Sequence, residues 1–300
     1  MKTLWTTGAA ALALALTGCA TGSAPESASA AGAARPAMWK VADADTTLYL
    51  FGTIHALPEG RTWRTAAFDQ ALASADELVL EIANVDDMAA GAGAMAKLGL
   101  SQGLPPIRER VPEDKRAALD TMMAESGIPA AVFDRLETWA AAVSLLGVTF
   151  KRLGLNPELG VETAIAGPWK ASGKPVLGLE TVEQQLGFFD SLSEKEQRTF
   201  LEGVLDSPEE GKKQFDAMLA AWASGDEKAL AGAFEDEQNM TPELRAVLLG
   251  RRNANWAEWL DARMDRPGTA FVAVGAGHLA GRESVQAMLK ARGHKAKRVQ

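Results

Sequence analysis

The sequence predicts a mixed α/β domain: a central mixed β-sheet built from N- and C-terminal strand–turn units, flanked by helices and interrupted by a large helical insertion. Three observations carry this. Short apolar, β-prone runs recur at Thr47–Phe51, Leu78–Ile82, Val176–Glu180 and Thr269–Val274, each too short for a stable helix and bounded by turn residues. Long stretches between them have helical spacing. No linker or fixed-period repeat interrupts Trp39 to Gln300, which fits one domain built on one sheet.

Taken in order, Thr47-Leu48-Tyr49-Leu50-Phe51 is the first strand and stops at Gly52. Arg64 to Ser74 is helical, and Glu77-Leu78-Val79-Leu80-Glu81-Ile82 is a buried strand. From Asp86 to about Gly154 the pattern is helical, with breaks at Gly103–Pro106, Pro112 and Gly127-Ile128-Pro129. A helix from about Val161 leads through Gly173-Lys174-Pro175 to the strand Val176–Glu180. A second helical region follows, broken near Pro208, Gly225 and Pro242. The strand Thr269–Val274 stops at Gly275, the helix Glu283–Ala291 follows, and Lys295–Gln300 has weak strand character.

The N-terminus predicts the compartment. Met1-Lys2 and the apolar Ala9–Leu16 form a signal-peptide pattern, too short for the roughly 20 apolar residues of a membrane span. Leu16-Thr17-Gly18-Cys19 resembles a bacterial lipobox, which implies cleavage before Cys19 and a diacylglycerol on its sulfur. The expected organisation is a lipoprotein signal peptide over 1–18, a flexible Ala/Ser/Gly-rich tether over 19–38, and the domain over 39–300. Ala20 is not the aspartate that retains lipoproteins at the inner membrane. In a Gram-negative cell, the expected location is therefore the outer membrane, facing the periplasm.

Cys19 is the single cysteine, so no intramolecular disulfide and no thiolate metal cluster can form. The formal net charge of −8 argues against nucleic acid as a partner and against a polybasic grip on anionic lipid. The membrane attachment expected is the lipid on Cys19, and the expected substrate is a peptide or another small molecule or polymer of the envelope.

Candidate site residues lie where the strands end. Phe51-Gly52-Thr53-Ile54-His55 and Val274-Gly275-Ala276-Gly277-His278 share one pattern, Gly-x-x-His after an apolar strand. Ligand sites of α/β domains lie beyond the carboxyl ends of strands. A glycine there allows either positive φ or an approach that a Cβ would block. Two imidazoles suit Zn, Mn, Co or Fe, or an acid/base pair. His294, at a helix C-terminus, reads as structural.

A metal site needs a further protein ligand, and Glu81 and Glu180 end apolar runs where an unpaired carboxylate would be costly to bury. Glu162, in Gly160-Val161-Glu162, opens a helix and also suits its dipole. Arg252, in Arg251-Arg252-Asn253, is placed to clamp a carboxylate, either a substrate's or one of these glutamates. Trp256 and Trp259, at helical spacing, read as core.

In sequence order, these motifs resemble the TraB/GumN family, which is related to the Tiki proteins and more distantly to the erythromycin-esterase and ChaN-like groups. The resemblance rests on Gly52-x-x-His55, the Glu81 strand, Gly160-Val161-Glu162, Lys174-Pro175 through Gly178-Leu179-Glu180-Thr181 with Gln184-Gln185-Leu186, Arg252-Asn253 with Trp256, and Gly275-x-x-His278. It spans about Trp39 to Gln300. It implies a metal-dependent, metallopeptidase-like hydrolase of the envelope, with His55 and His278 as ligands of Mn, Co or Zn and Glu81 as third ligand or base. Glu162 or Glu180 would accept the proton of the attacking water and Arg252 would orient the substrate. Glu162 stands where the family often has aspartate. ChaN-like relatives bind haem iron, so the alternative implied is a non-catalytic lipoprotein that binds a peptide, a saccharide or haem.

Overall fold

The computed structural model describes residues 34–84, 87–101, 103–234 and 240–300. The signal segment, Cys19 and most of the segment read as a tether lie outside the described residues. Chain already hydrogen-bonded to the domain precedes the expected start at Trp39. Arg35 donates its N–H to Ala223, Pro36 O accepts from the Gln300 side chain, and Met38 opens the first strand.

Six strands form one open, mixed sheet. They are β1 (Met38–Ala42), β2 (Thr46–Thr53), β3 (Glu77–Ile82), β4 (Val176–Glu180), β5 (Gly268–Gly275) and β6 (Lys297–Arg298), in the order β4-β3-β5-β2-β1-β6. The pairs β2/β5, β3/β5 and β3/β4 are parallel, whereas β1 runs antiparallel to both β2 and β6. The four expected strands are all present. Two of them extend further than their apolar runs. Gly52 pairs with Val274 and Thr53 with Gly275, because a parallel neighbour of the same length supplies partners for the extra backbone groups.

The two-residue alternation of side chains sorts the sheet into two cores. From β5, Phe271 and Ala273 face a cluster with Phe51, Phe68, Trp63, Leu80 and Trp222, while Ala270, Val272 and Val274 face Leu48, Leu50, Trp256 and Leu260. On the first face the rings interlock edge-on. Phe68 meets Phe51 with centroids at 4.7 Å and Phe271 at 5.2 Å, geometry favoured by the ring quadrupoles.

The helical insertion carries its own core. The helices Arg116–Ser126, Thr138–Arg152 and Glu194–Val204 bury Leu119, Trp139, Leu145 and Leu201 together with Phe133. Its expected break at Gly127 is a left-handed C-cap with φ 72°, a conformation glycine adopts without Cβ strain. One element has no signature in the composition: Ala246–Arg251 is a π-helical turn that runs directly into the helix Arg252–Met264. Such turns concentrate at functional positions.

Candidate active site

Because β2, β5, β3 and β4 are parallel, their carboxyl ends lie along one sheet edge. Thr53 pairs with Gly275, and Ile82 with Glu180. This register brings the two Gly-x-x-His turns side by side and sets Glu81 and Glu180 at the ends of the adjacent strands.

The motif glycines are required by close approach. Neither has positive φ. A Cβ on Gly52 would lie 3.1 Å from Ala276 Cα, in the other turn. A Cβ on Gly275 would lie 3.1 Å from Glu81 Oε1, 3.3 Å from His55 Nε2 and 3.6 Å from His278 Cδ2. Both imidazoles and one carboxylate therefore converge on the Gly275 backbone, whose N–H donates to Glu81 Oε1 at 2.7 Å. Gly275→Ala is expected to keep the fold while displacing Glu81 and His55. Displacements of that kind cost about 10²-fold in rate, so a loss of roughly tenfold or more is expected. Activity equal to wild type in a variant of unchanged melting temperature would contradict it.

His55 and His278 are held in opposite ways. His55 presents its side chain to solvent, 64% exposed, while its Nδ1 lies 2.7 Å from Glu162 Oε1, a carboxylate that also accepts from Thr53 Oγ1. Glu162 reaches this position because Gly160 packs on the His55 backbone. A Cβ there would fall 2.2 Å from His55 O, and Val161 N–H donates to Ile54 O at 3.0 Å. The Glu162 carboxylate raises the His55 pKa to about 9, by its charge and by the hydrogen bond it accepts. His55 is thus an imidazolium at neutral pH with Nε2 turned toward Gly275.

His278 is buried and neutral. Its Nδ1–H donates to Asn253 Oδ1 at 2.6 Å, and the Asn253 amide is oriented in turn by donating to Glu283 O at 2.7 Å. That tautomer leaves Nε2 as an acceptor for the Arg252 guanidinium at 3.1 Å. Burial pushes the His278 pKa down to about 3, and the Arg252 and His55 charges add to this against the pull of Glu81. Trp256 stacks its ring 4.2 Å from the imidazole.

Arg252 clamps glutamates and not a free carboxylate. Its Nε donates to Glu180 Oε1 at 2.9 Å, and its Nη2 donates to Glu180 Oε2 at 2.9 Å and to Glu81 Oε2 at 2.5 Å. Of the two roles open to it from sequence, the guanidinium takes the one inside the protein. Trp256 Nε1–H completes Glu180 at 2.8 Å, and Gln185 donates to Glu81 at 2.9 Å. Burial opposes the charge on Glu81, yet its pKa is lowered. With His278 neutral, the Arg252 and His55 charges and the Gly275 N–H keep it ionised. Arg252 stays charged for the reciprocal reason: burial works against it and both glutamates outweigh the burial.

Among the described residues, no group of three or more His, Cys, Asp or Glu side chains is spaced to hold an ion. Arg252 stands on His278 Nε2 and Glu81 Oε2 while Glu81 Oε1 receives the Gly275 N–H. His278 Nε2 and Glu81 Oε1 stand 3.9 Å apart, with Arg252 on both side chains.

Every expected site residue therefore lies in one cluster at the carboxyl edge of the sheet, while Cys19 lies outside the described residues. Four supporting residues had no role assigned from sequence. Asn253 and Gln185 stand in the sequence only as parts of motifs, Thr53 as an inner position of the first Gly-x-x-His turn, and Trp256 as core. Trp256 is core, but its indole N–H also serves Glu180.

An α/β protein whose two strand–Gly-x-x-His units share one sheet edge with a buried Glu–Arg–Glu clamp is the class that the fold and site define. The TraB/PrgY/gumN family model matches residues 37–298, and the chain belongs to that family. It is similar to the uncharacterized protein YbaP of Escherichia coli (strain K12), 26% identical over 81% of this chain and 87% of that one, and equally to YbaP of Shigella flexneri. An uncharacterized protein of Treponema pallidum (strain Nichols) is 24% identical over 59% of this chain and 56% of its own length. No solved structure matches.

Proposed function

We propose that this chain is a hydrolase of peptide or related bonds in the bacterial envelope, exported and held to the membrane by lipid on Cys19, in a Gram-negative cell to the outer membrane. The observation that carries the reading is the His55–Glu162 pair. An imidazole has Nδ1 fixed by a carboxylate and Nε2 free toward a pocket, which is the arrangement of a base and its orienting acid. In its neutral form His55 Nε2 accepts a proton from a water molecule as the water oxygen attacks the scissile carbonyl. Glu162 stabilises the imidazolium so formed. When the carbon–nitrogen bond breaks, the same proton passes to the leaving amine. His278, Glu81, Glu180 and Arg252 fix the second turn and the charge around it, so that water and substrate meet a preorganised edge.

A second reading keeps the metal. Both rings have Nδ1 engaged by an oxygen acceptor, Glu162 and Asn253, as metal-bound histidines usually do. Mn, Co or Zn held by His55, His278 and Glu81 would require Arg252 to leave His278 Nε2. The test is digestion of a defined peptide pool, read by mass spectrometry, with wild type, His55→Ala and His278→Ala, each after chelation and after addition of Mn, Co or Zn. Cleavage that survives chelation and needs His55 supports the acid–base reading. Cleavage restored only by metal supports the second. No cleavage under any condition overturns both and leaves a protein that binds peptide, saccharide or haem.

A further inference from the structure

The wall beside His55 differs in kind from the cluster behind it. A cavity of about 290 Å³ opens against His55 and His278, and Ile54, Phe150, Phe215, Met218, Phe234 and Leu249 make most of its surface. Among the described residues, no Asp, Glu, Lys or Arg side chain lines it. Its polar side chains are engaged except at His55 Nε2. Thr53 Oγ1 donates to Glu162, the His55 charge is answered by Glu162 at 2.7 Å, and both His278 nitrogens have partners.

The walls come from the helical regions, whereas the reacting groups come from the sheet. Phe215 and Met218, three residues apart on the helix Pro208–Ser224, share one face. Phe150 belongs to Thr138–Arg152, and Leu249 to the π-turn that leads into Arg252. The Phe234 ring lies where Gly277 has no side chain, since a Cβ there would come within 2.9 Å of it. The second turn thus yields space to an aromatic wall two residues from Gly275.

We infer that this cavity receives one large uncharged apolar side chain of the substrate, Phe-like or Leu-like, next to the bond that is cleaved. The inference rests on the hydrolase reading for what happens to the bound group, and on the cavity alone for what binds. A volume of about 150 Å³ already holds a benzene ring, so one aromatic side chain fits with room to spare. A charged side chain would lose its water against this apolar wall, a loss that the described lining offsets only at His55 Nε2.

The test measures binding of N-acetyl amides of Phe, Leu, Asp and Lys by calorimetry, and cleavage of peptides that vary at the same residue. Expected is binding of the Phe and Leu amides at least about tenfold tighter than of the Asp and Lys amides, with a matching preference in cleavage. Met218→Trp, which fills the cavity, is expected to weaken Phe-amide binding about tenfold. Phe215→Asp, on a half-buried position, is expected to turn the preference toward Lys, and it carries the test if Met218→Trp does not fold. Phe-amide binding that these variants abolish, with no peptide cleaved, keeps the cavity assignment and removes the hydrolase. Cleavage with equal use of apolar and charged residues, or tight binding of Asp or Lys amides, overturns the cavity assignment and leaves the hydrolase standing.

Discussion

Replacing Arg252 by alanine is expected to remove activity and to destabilise the domain by about 3–5 kcal/mol, the cost of leaving buried charges without their partner. Among the described residues, Arg252 is the single cation within hydrogen-bond reach of both Glu81 and Glu180, all three side chains being at most one-tenth exposed. Without it two carboxylates face each other in a dry site and one must take up a proton. His278 Nε2 also loses the donor that faces it. In a domain of this size the thermal midpoint should fall by on the order of 10 °C. Arg252→Lys should recover only part of this, because an ammonium cannot make the fork of bonds to two carboxylates. Arg252→Met combined with Glu180→Gln should recover more of the stability than of the activity. A stable, fully active Arg252→Ala variant would show that the clamp has no part in the site.

The second large effect is expected at His55. Removing a positioned proton acceptor costs about 10²–10⁴ in rate, so His55→Ala should lie in that range while melting close to wild type, because its side chain is open to solvent. The pH dependence separates a base from a mere contact. In wild type, kcat/KM should rise with pH toward about 9 as the imidazolium gives up its proton, since Glu162 holds that proton on. Glu162→Gln keeps the shape and removes the charge. The limb should then move down toward the ordinary imidazole value of about 6.5, with a lower plateau because the imidazolium formed in the reaction has lost its counter-charge. A limb that Glu162→Gln does not move would favour the metal reading, in which the ion and not a proton occupies Nε2.

Much of this site is visible in the residues themselves. Acids that end apolar runs, as Glu81 and Glu180 do, have to be paired, and a glycine before each histidine signals crowding. What the chain cannot display locally is pairing across distance. Thr53 meets Gly275 and Glu81 meets Arg252 only because β5 inserts between β2 and β3, and nothing in either segment encodes that neighbour. Gly160 illustrates the same limit, for its reason is the His55 carbonyl at the end of another strand. The π-turn before Arg252 leaves no compositional mark because Ala-Val-Leu-Leu-Gly-Arg would serve equally in an α-helix.

The two Gly-x-x-His turns are one site with divided roles: an open imidazolium paired to Glu162 and a buried neutral imidazole set between Asn253 and Arg252. The chain has three histidines, so NMR titration of the imidazole resonances, assigned by His55→Ala and His278→Ala, tests this directly and needs no substrate. The expected result is His55 titrating near pH 9, moving down in Glu162→Gln, and His278 remaining neutral until about pH 3. His55 and His278 titrating together near 6.5, unmoved by Glu162→Gln, would contradict it.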